Sequence, residues 1–543
     1  MTFADHLVIA PIVLPTVAAG LMLMLDGRSR NALAAINLIS TFALLAIAIT
    51  LAATAASGEP GTAIRTYRLG DWPAQFGIVL VSDRLSSLML VLTATLACAA
   101  LVFSLARWHG VGPYFHPFFQ FLLMGLNGAF LTGDVFNLFV FFEVLLAASY
   151  GLALYGSGYA RVRAGLHYIA INLVASLIFL IGASLIYGSA GTLNMADLAV
   201  RVAELGPRDR ALLEAGASIL GVVFLVKAAM WPLGFWLPGT YAAAGAPVAA
   251  LFAIMTKVGI YAVLRLGSIL TGPETEGSVM FGAGWLTAGG AATIVFAMLG
   301  LLASQELGKL AGYAVVISSG TLLAVIGAGD PALVGPALFY LVSSTLAISA
   351  FFLLIELVER GRTRVDDVLA VTLEAYGLEG EEEPGEDGDS GIAVPAILAV
   401  LGVAFVLCGV LLAGLPPLSG FVAKFAILAA AIGRGEAGVS PDAWLLLVVL
   451  LLSGFVTLFA VVRGGMRSFW GPIEREVPHV RIVELAPIAA LLFLCVVLTV
   501  KAEPAMRFMQ ATAADLRGSK AYSGAVLAEP VPPPAPPREG GSR

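Results

Sequence analysis

One apolar stretch of about helix-spanning length follows another along almost the whole chain, and that succession constrains its fold more than any other feature. A helix needs about 20 mostly apolar residues to cross the hydrocarbon core of a bilayer. Fourteen stretches meet or approach that length, at roughly 5–25, 32–55, 85–106, 117–133, 134–156, 164–187, 213–240, 244–267, 281–303, 309–328, 334–357, 393–432, 443–464 and 484–502. Charged residues make up 12% of the 543 and apolar ones 59%, whereas a soluble domain carries about 25% charged residues. No soluble fold hides that much apolar surface. A soluble enzyme, a nucleic-acid binder and a disordered chain are excluded, and the sequence reads as an all-α polytopic membrane protein with about fourteen transmembrane helices.

The net charge of −6 comes from one place. Eight acids and no base lie between Glu374 and Asp389, and without them the chain would be slightly basic. No basic stripe of the kind that neutralises phosphates is present. The acidic run reads as a solvated loop, with attraction of cations or docking of a partner as its functional alternative. Cys98, Cys408 and Cys495 are scattered through apolar runs, and the five histidines show no ligand spacing, so neither a metal nor a cofactor is expected. The first 25 residues lack the basic start of a cleaved signal and read as the first span.

Lys and Arg divide unequally between the two sets of connections. Thirteen, among them Arg28, Arg30, Arg107, Arg161, Lys309, Arg360, Arg463 and Arg481, fall on one side. Eight, including Arg65, Arg68, Arg84, Arg201 and Arg265, fall on the other. The richer side is expected to face the cytoplasm. An even number of spans then puts both termini outside.

Four charges interrupt the apolar runs: Glu143, Lys227, Lys257 and Lys424. A lysine at mid-bilayer costs about 2.5–3.5 kcal/mol on insertion scales. Four such residues together weigh about as much as a domain's net stability. A buried ion pair that only pins helices would account for Glu143 with Lys227, but no second mid-span carboxylate is left for Lys257 and Lys424. Buried amines gain and lose protons near neutral pH, which suits a proton relay.

Two of the lysine spans also carry helix breakers. Pro232 follows Lys227 in a stretch that runs on to Pro238, and Pro416 and Pro417 precede Lys424. Each removes a backbone donor and opens a helix. Broken backbone at membrane depth is tolerated where it lines a cavity or is buried in protein. Broken helices in matching positions of two halves point to an inverted-repeat transporter. The expected organisation is helices one to three over 1–116, a first five-helix repeat over 117–267, and a second over 281–464 with the acidic insert 358–392. A last helix over 465–502 and a disordered, proline-rich tail over 503–543 complete it. Polar residues that could hold water between the charges include His167, Ser176, Tyr340, Ser343, Ser344, Thr345 and Ser349, although such residues also glue membrane helices together.

These residues resemble the family of antiporter-like membrane subunits shared by Mrp-type cation/proton antiporters and the proton-pumping arm of respiratory complex I. The resemblance rests on Val81-Ser-Asp-Arg-Leu-Ser, Phe139-Val-Phe-Phe-Glu, the stretch from Lys227 to Pro238, Met255-Thr-Lys-Val-Gly, Lys309-Leu-Ala-Gly-Tyr and Gly414-Leu-Pro-Pro-Leu-Ser-Gly-Phe. It implies that Glu143, Lys227, Lys257 and Lys424 form a proton path in which Glu143 and Lys227 make a switchable ion pair. Lysine at 424, and a chain that stops soon after the last span, look most like the D-type branch of the Mrp antiporter subunits. The implied role is a proton-translocating subunit of a multisubunit sodium/proton antiporter in a bacterial inner membrane. Its partners would be the other subunits, protons, a monovalent cation and the lipid bilayer. A complex I-like redox pump subunit and a non-conducting assembly scaffold are the alternatives. Where many relatives carry His and Lys in span eleven, this chain has Tyr340-Leu-Val-Ser-Ser-Thr, and water held by those hydroxyls is expected to fill the gap between Lys257 and Lys424.

Overall fold

The computed structural model describes residues 6–25, 29–58, 64–75, 77–270, 282–376, 396–433, 439–469 and 480–528. Helices account for nearly all of it. In chain order they are α1 (Ala10–Met24), α2 (Arg30–Ser57), α3 (Arg84–Ser104), α4 (Phe115–Leu131), α5 (Val135–Ala153), α6 (Tyr159–Ala190), α7 (Met195–Arg201), α8 (Pro207–Lys227), α9 (Trp236–Ala243), α10 (Ala246–Phe252) and α11 (Met255–Leu270). They continue as α12 (Ala283–Ala303), α13 (Leu307–Gly327), α14 (Pro331–Tyr376), α15 (Ala396–Ala413), α16 (Ser419–Ile432), α17 (Pro441–Phe469), α18 (Ile482–Val500), α19 (Ala502–Arg517) and α20 (Ser519–Leu527). Among the described residues, eleven helical segments are long and apolar enough to cross a membrane. The other three expected spans hold the shorter α1 and α4 and the broken pair α8/α9.

A short antiparallel hairpin, β1 (Arg65–Arg68) with β2 (Val79–Ser82), marks one end of the bundle. Asp83, directly after β2, caps α3 by accepting from the Ser86 amide at 2.8 Å. The described chain starts and ends at this hairpin side. His6 packs its ring on Tyr67 at 5.7 Å, and the Arg68 guanidinium donates to the Val526 carbonyl at 2.9 Å. An even number of crossings gives that arrangement.

The opposite end is held by a half-buried charge network. Trp108 donates its indole N–H to Glu356 at 2.8 Å, and Arg360 bridges Glu356 at 2.7 Å and Glu484 at 2.6 Å. Arg161 lies over the Trp108 ring and donates to the Ala243 carbonyl at 2.8 Å. Among the described residues, Arg30, Arg107, Arg161, Arg360 and Arg481 lie at this end, and Arg65, Arg68, Arg84 and Arg265 at the hairpin end.

Two expectations for the connections are corrected. The insert was expected to leave the helix at 358, but α14 runs on to Tyr376, and most of the acidic run lies outside the described residues. The chain from 503 was expected to be disordered, yet it forms α19 and α20 as far as Leu527. Met509, Thr512 and Ala513 bury one side of α19, which packs on α14. Its polar composition hid a one-sided apolar stripe.

Candidate functional site

The first helix break follows Lys227 directly. Helix α8 ends on that lysine, and Ala229 takes a left-handed conformation (φ 58°), which non-glycine residues rarely adopt. The opened backbone is not left unpaired. The Met230 amide donates to the Leu225 carbonyl at 3.0 Å and the Trp231 amide to the Thr293 hydroxyl at 2.9 Å. Pro232 lies in this break as expected. Pro238 does not, because it sits in the first turn of α9, where a missing N–H costs nothing.

Lys227 is buried, and its ammonium has no hydrogen-bond partner among the described residues. It rests 4.6 Å from the centre of the Phe142 ring, a cation–π contact. Lys227 and Glu143 make no direct ion pair in this structure. Glu143, next to Phe142 on α5, instead accepts from the Ser176 hydroxyl on α6 and acts on the lysine through space. Glu143 is half-buried, with exposed Val140, Leu173 and Leu177 on the same two helices.

Lys257 lies in the first turn of α11, wholly buried. Its helix comes close to Lys227 because residue 259 is glycine. A Cβ there would stand 2.6 Å from the Phe224 carbonyl oxygen and 2.8 Å from the Ala228 nitrogen. The Lys257 ammonium donates to Ser318 Oγ at 2.8 Å, and Ser318 Oγ lies 2.9 Å from Ser344 Oγ. Beyond them is a small cavity walled by Ser318, Tyr340 and Ser344 on one side and by Gly420 and Thr457 on the other, with room for about one water.

Lys424 closes the line. It sits in the second turn of α16, after the break that contains Pro416 and Pro417, and its ammonium donates to the Ala413 carbonyl at 2.9 Å. Ala413 is the last residue of α15, so the cation meets the negative end of a half-helix dipole. Gly420 allows α16 to lie directly on the Leu411 carbonyl, and Gly454 leaves room for the lysine's tip. Across the same break Ser343 and Ser419 share a hydrogen bond of 2.8 Å.

Not every expected residue joins this line. His167 is exposed on α6, with Nδ1 2.8 Å from the Arg163 carbonyl of its own helix. Thr345 donates to the Leu341 carbonyl of its own helix at 2.6 Å. Ser349 is buried with no hydrogen-bond partner for its hydroxyl among the described residues, as are Thr256 and Ser319. Buried polar groups without a protein partner are the sites that ordered water serves.

One charged pair escaped the sequence reading. Arg265, grouped there with the loop arginines, is buried in α11 and meets Asp83 at 2.6 Å. Lys257, Tyr261 and Arg265 recur every four residues, which puts all three on one face. That spacing in an apolar span was the available signal. Burial pushes the Asp83 carboxyl up, but the Arg265 guanidinium and the bonds from Ser86 outweigh it and hold the group below its ordinary value.

Residues 132–373 match the family model for the transmembrane part of NADH:quinone oxidoreductase/Mrp antiporter subunits. The chain is 55% identical over 533 residues to a protein of Rhizobium meliloti (strain 1021) named as a probable K(+)/H(+) antiporter subunit of the D type, covering 97% of this chain and 98% of that one. It is 34% identical to the D-type Na(+)/H(+) antiporter subunit of Bacillus subtilis (strain 168), covering 97% and 100%. Among solved structures, a chain of the Mrp complex from Dietzia sp. DQ12-45-1b shares the fold with a TM-score of 0.79 at 24% identity, over 97% of this chain and 100% of that one.

Proposed function

We infer the function from one established premise: the chain belongs to the family of NADH:quinone oxidoreductase/Mrp antiporter membrane subunits. It is a subunit of a multisubunit monovalent cation/proton antiporter, and its partners are the other subunits of that complex. Within it, Glu143, Lys227, Lys257 and Lys424 carry protons. The observation that carries this reading is the bonded run from Lys257 through Ser318 to Ser344, ending at a water-sized cavity on the Lys424 side.

The Lys227 ammonium stands on Phe142, released from Glu143. Re-forming the ion pair would stabilise its charge, and opening it would favour release of a proton toward Lys257. The neighbouring break at Ala229–Pro232 supplies the hinge. The half-exposed position of Glu143 supports cover by a partner subunit on that face, since carboxylates rarely face lipid. The hairpin side faces outward, because the opposite end carries more Lys and Arg. The two repeats, 117–267 and 281–464, each supply one broken helix to the path.

The names of the two relatives divide on the cation. The more similar one is named for potassium and the other for sodium, so the sodium expected from the sequence yields to potassium as the first cation to test. A redox-driven pump subunit remains the second reading, because the family description covers both. Lys227→Ala and Lys424→Ala in the reconstituted complex test the assignment. Both are expected to abolish cation-dependent proton exchange while the complex still assembles. Normal exchange in both would leave only the scaffold reading.

A further inference from the structure

The Asp83-Arg84 motif has no part in the path just described, yet the structure spends two ion pairs on it. Asp83 meets Arg265 at 2.6 Å with both side chains more than nine-tenths buried. Arg84 turns the other way, to Asp515 of α19 at 2.6 Å and to the Gly58 carbonyl at 2.8 Å. Tyr522 of α20, itself buried, covers the Arg265 guanidinium with its ring centre 5.3 Å away.

Arg265 stands eight residues from Lys257 on the same face of α11, about 12 Å along the axis toward the hairpin side. Along α11 between them Tyr261 is the titratable residue; its hydroxyl donates to the Phe130 carbonyl at 2.8 Å and accepts from the Arg265 guanidinium at 3.4 Å. A guanidinium has five N–H donors and no lone pair, so it cannot accept a proton. The other acceptor beside it, the Asp83 carboxylate, is taken up by Arg265 and the Ser86 amide. A chain of water or hydroxyls running from Lys257 to the hairpin side therefore ends against donors. Apolar residues would stabilise such a site as well as a buried ion pair does, so stability alone does not account for the pair.

We propose that Asp83 and Arg265, roofed by Tyr522, form a proton seal that closes the hairpin side of Lys257. A relay lysine open to both sides at once would leak, and a fixed arginine is one device that excludes protons from a pore. The seal makes these residues positioning groups for proton exchange rather than carriers. The proposal rests on the carrier role of Lys257.

The test is passive proton leak through the complete complex in liposomes, in choline medium with no transported cation and an imposed membrane potential. The neutral pair Asp83→Asn/Arg265→Gln is expected to raise the leak at least tenfold. Adding Lys257→Gln should return it to the wild-type level. A tight neutral pair overturns the proposal, as does a leak that persists with Lys257→Gln. Where the neutral pair fails to assemble, Tyr522→Ala decides in its place: a severalfold leak supports the seal and a tight vesicle overturns it. Normal antiport by Lys257→Gln would instead remove the carrier role itself, a result distinct from a tight neutral pair.

Discussion

Lys227 places its ammonium 4.6 Å from the ring centre of Phe142, the residue beside Glu143, and not on the carboxylate. A desolvated cation–π contact is worth about 2 kcal/mol, enough to compete with an ion pair that must also be desolvated. The ring thus holds the lysine off the carboxylate. Phe142→Leu is expected to lower exchange up to about tenfold by letting Lys227 fall back to Glu143, and Phe142→Tyr to preserve it. Cation-triggered pH change in inverted vesicles measures both.

Ser318 is the hydrogen-bond partner of the Lys257 ammonium. Ser318→Ala leaves a buried amine unpaired, at about 1–3 kcal/mol, and breaks the run to Ser344. Exchange is expected to fall about tenfold or more on that loss, and Ser318→Thr, which keeps the hydroxyl, to retain most of it. Equal rates in all three proteins would remove the serine from the path.

Gly259 sets the spacing between the helices that carry Lys227 and Lys257. A methyl group there meets backbone atoms that cannot move aside singly, so Gly259→Ala forces α8 and α11 apart. The expected cost is about 1–3 kcal/mol, read as a lower midpoint of thermal unfolding for the purified complex. An unchanged midpoint would show that the helices are not locked together there.

The Asp83 carboxyl is held below its ordinary value when folded, so its ionised form contributes stability at neutral pH. That contribution is lost as the pH falls through the depressed folded value. The stability difference between wild type and Asp83→Asn should therefore stay constant from pH 7 down to the ordinary aspartate range of about 3.9, and close only below it. Thermal unfolding across that range gives the comparison. A difference that shrinks between pH 7 and 5 would mean that Arg265 does not hold the carboxylate.

Potassium and sodium are separated by the same vesicle assay run with each chloride salt. Potassium is expected to give the larger proton response at equal concentration. A response to sodium alone would restore the cation first expected from the sequence.

The sequence already displayed the parts of the proposed path that stand out against an apolar background. Lys227, Lys257 and Lys424 could be seen because charge is rare there, and both breaks could be seen because Pro232, Pro416 and Pro417 remove donors. The partners could not be read. Whether Lys227 meets Glu143 or Phe142 depends on rotamers one residue apart on α5. The exposure of His167 depends on the rotation of α6, which a long, evenly apolar helix does not reveal. Arg265 was misplaced because a basic residue near a helix end usually belongs to the loop, and here Asp83 draws it inside. The C-terminal helices were hidden by their polar composition and by the proline run that follows them.

The central claim is that protons pass through the middle of the subunit by way of Lys257. Proton exchange by the assembled complex in liposomes, compared between wild type and Lys257→Met, tests it most directly. An assembled Lys257→Met complex is expected to lose exchange at least a hundredfold. Exchange at the wild-type rate, with the amine gone and the complex intact, would contradict the account.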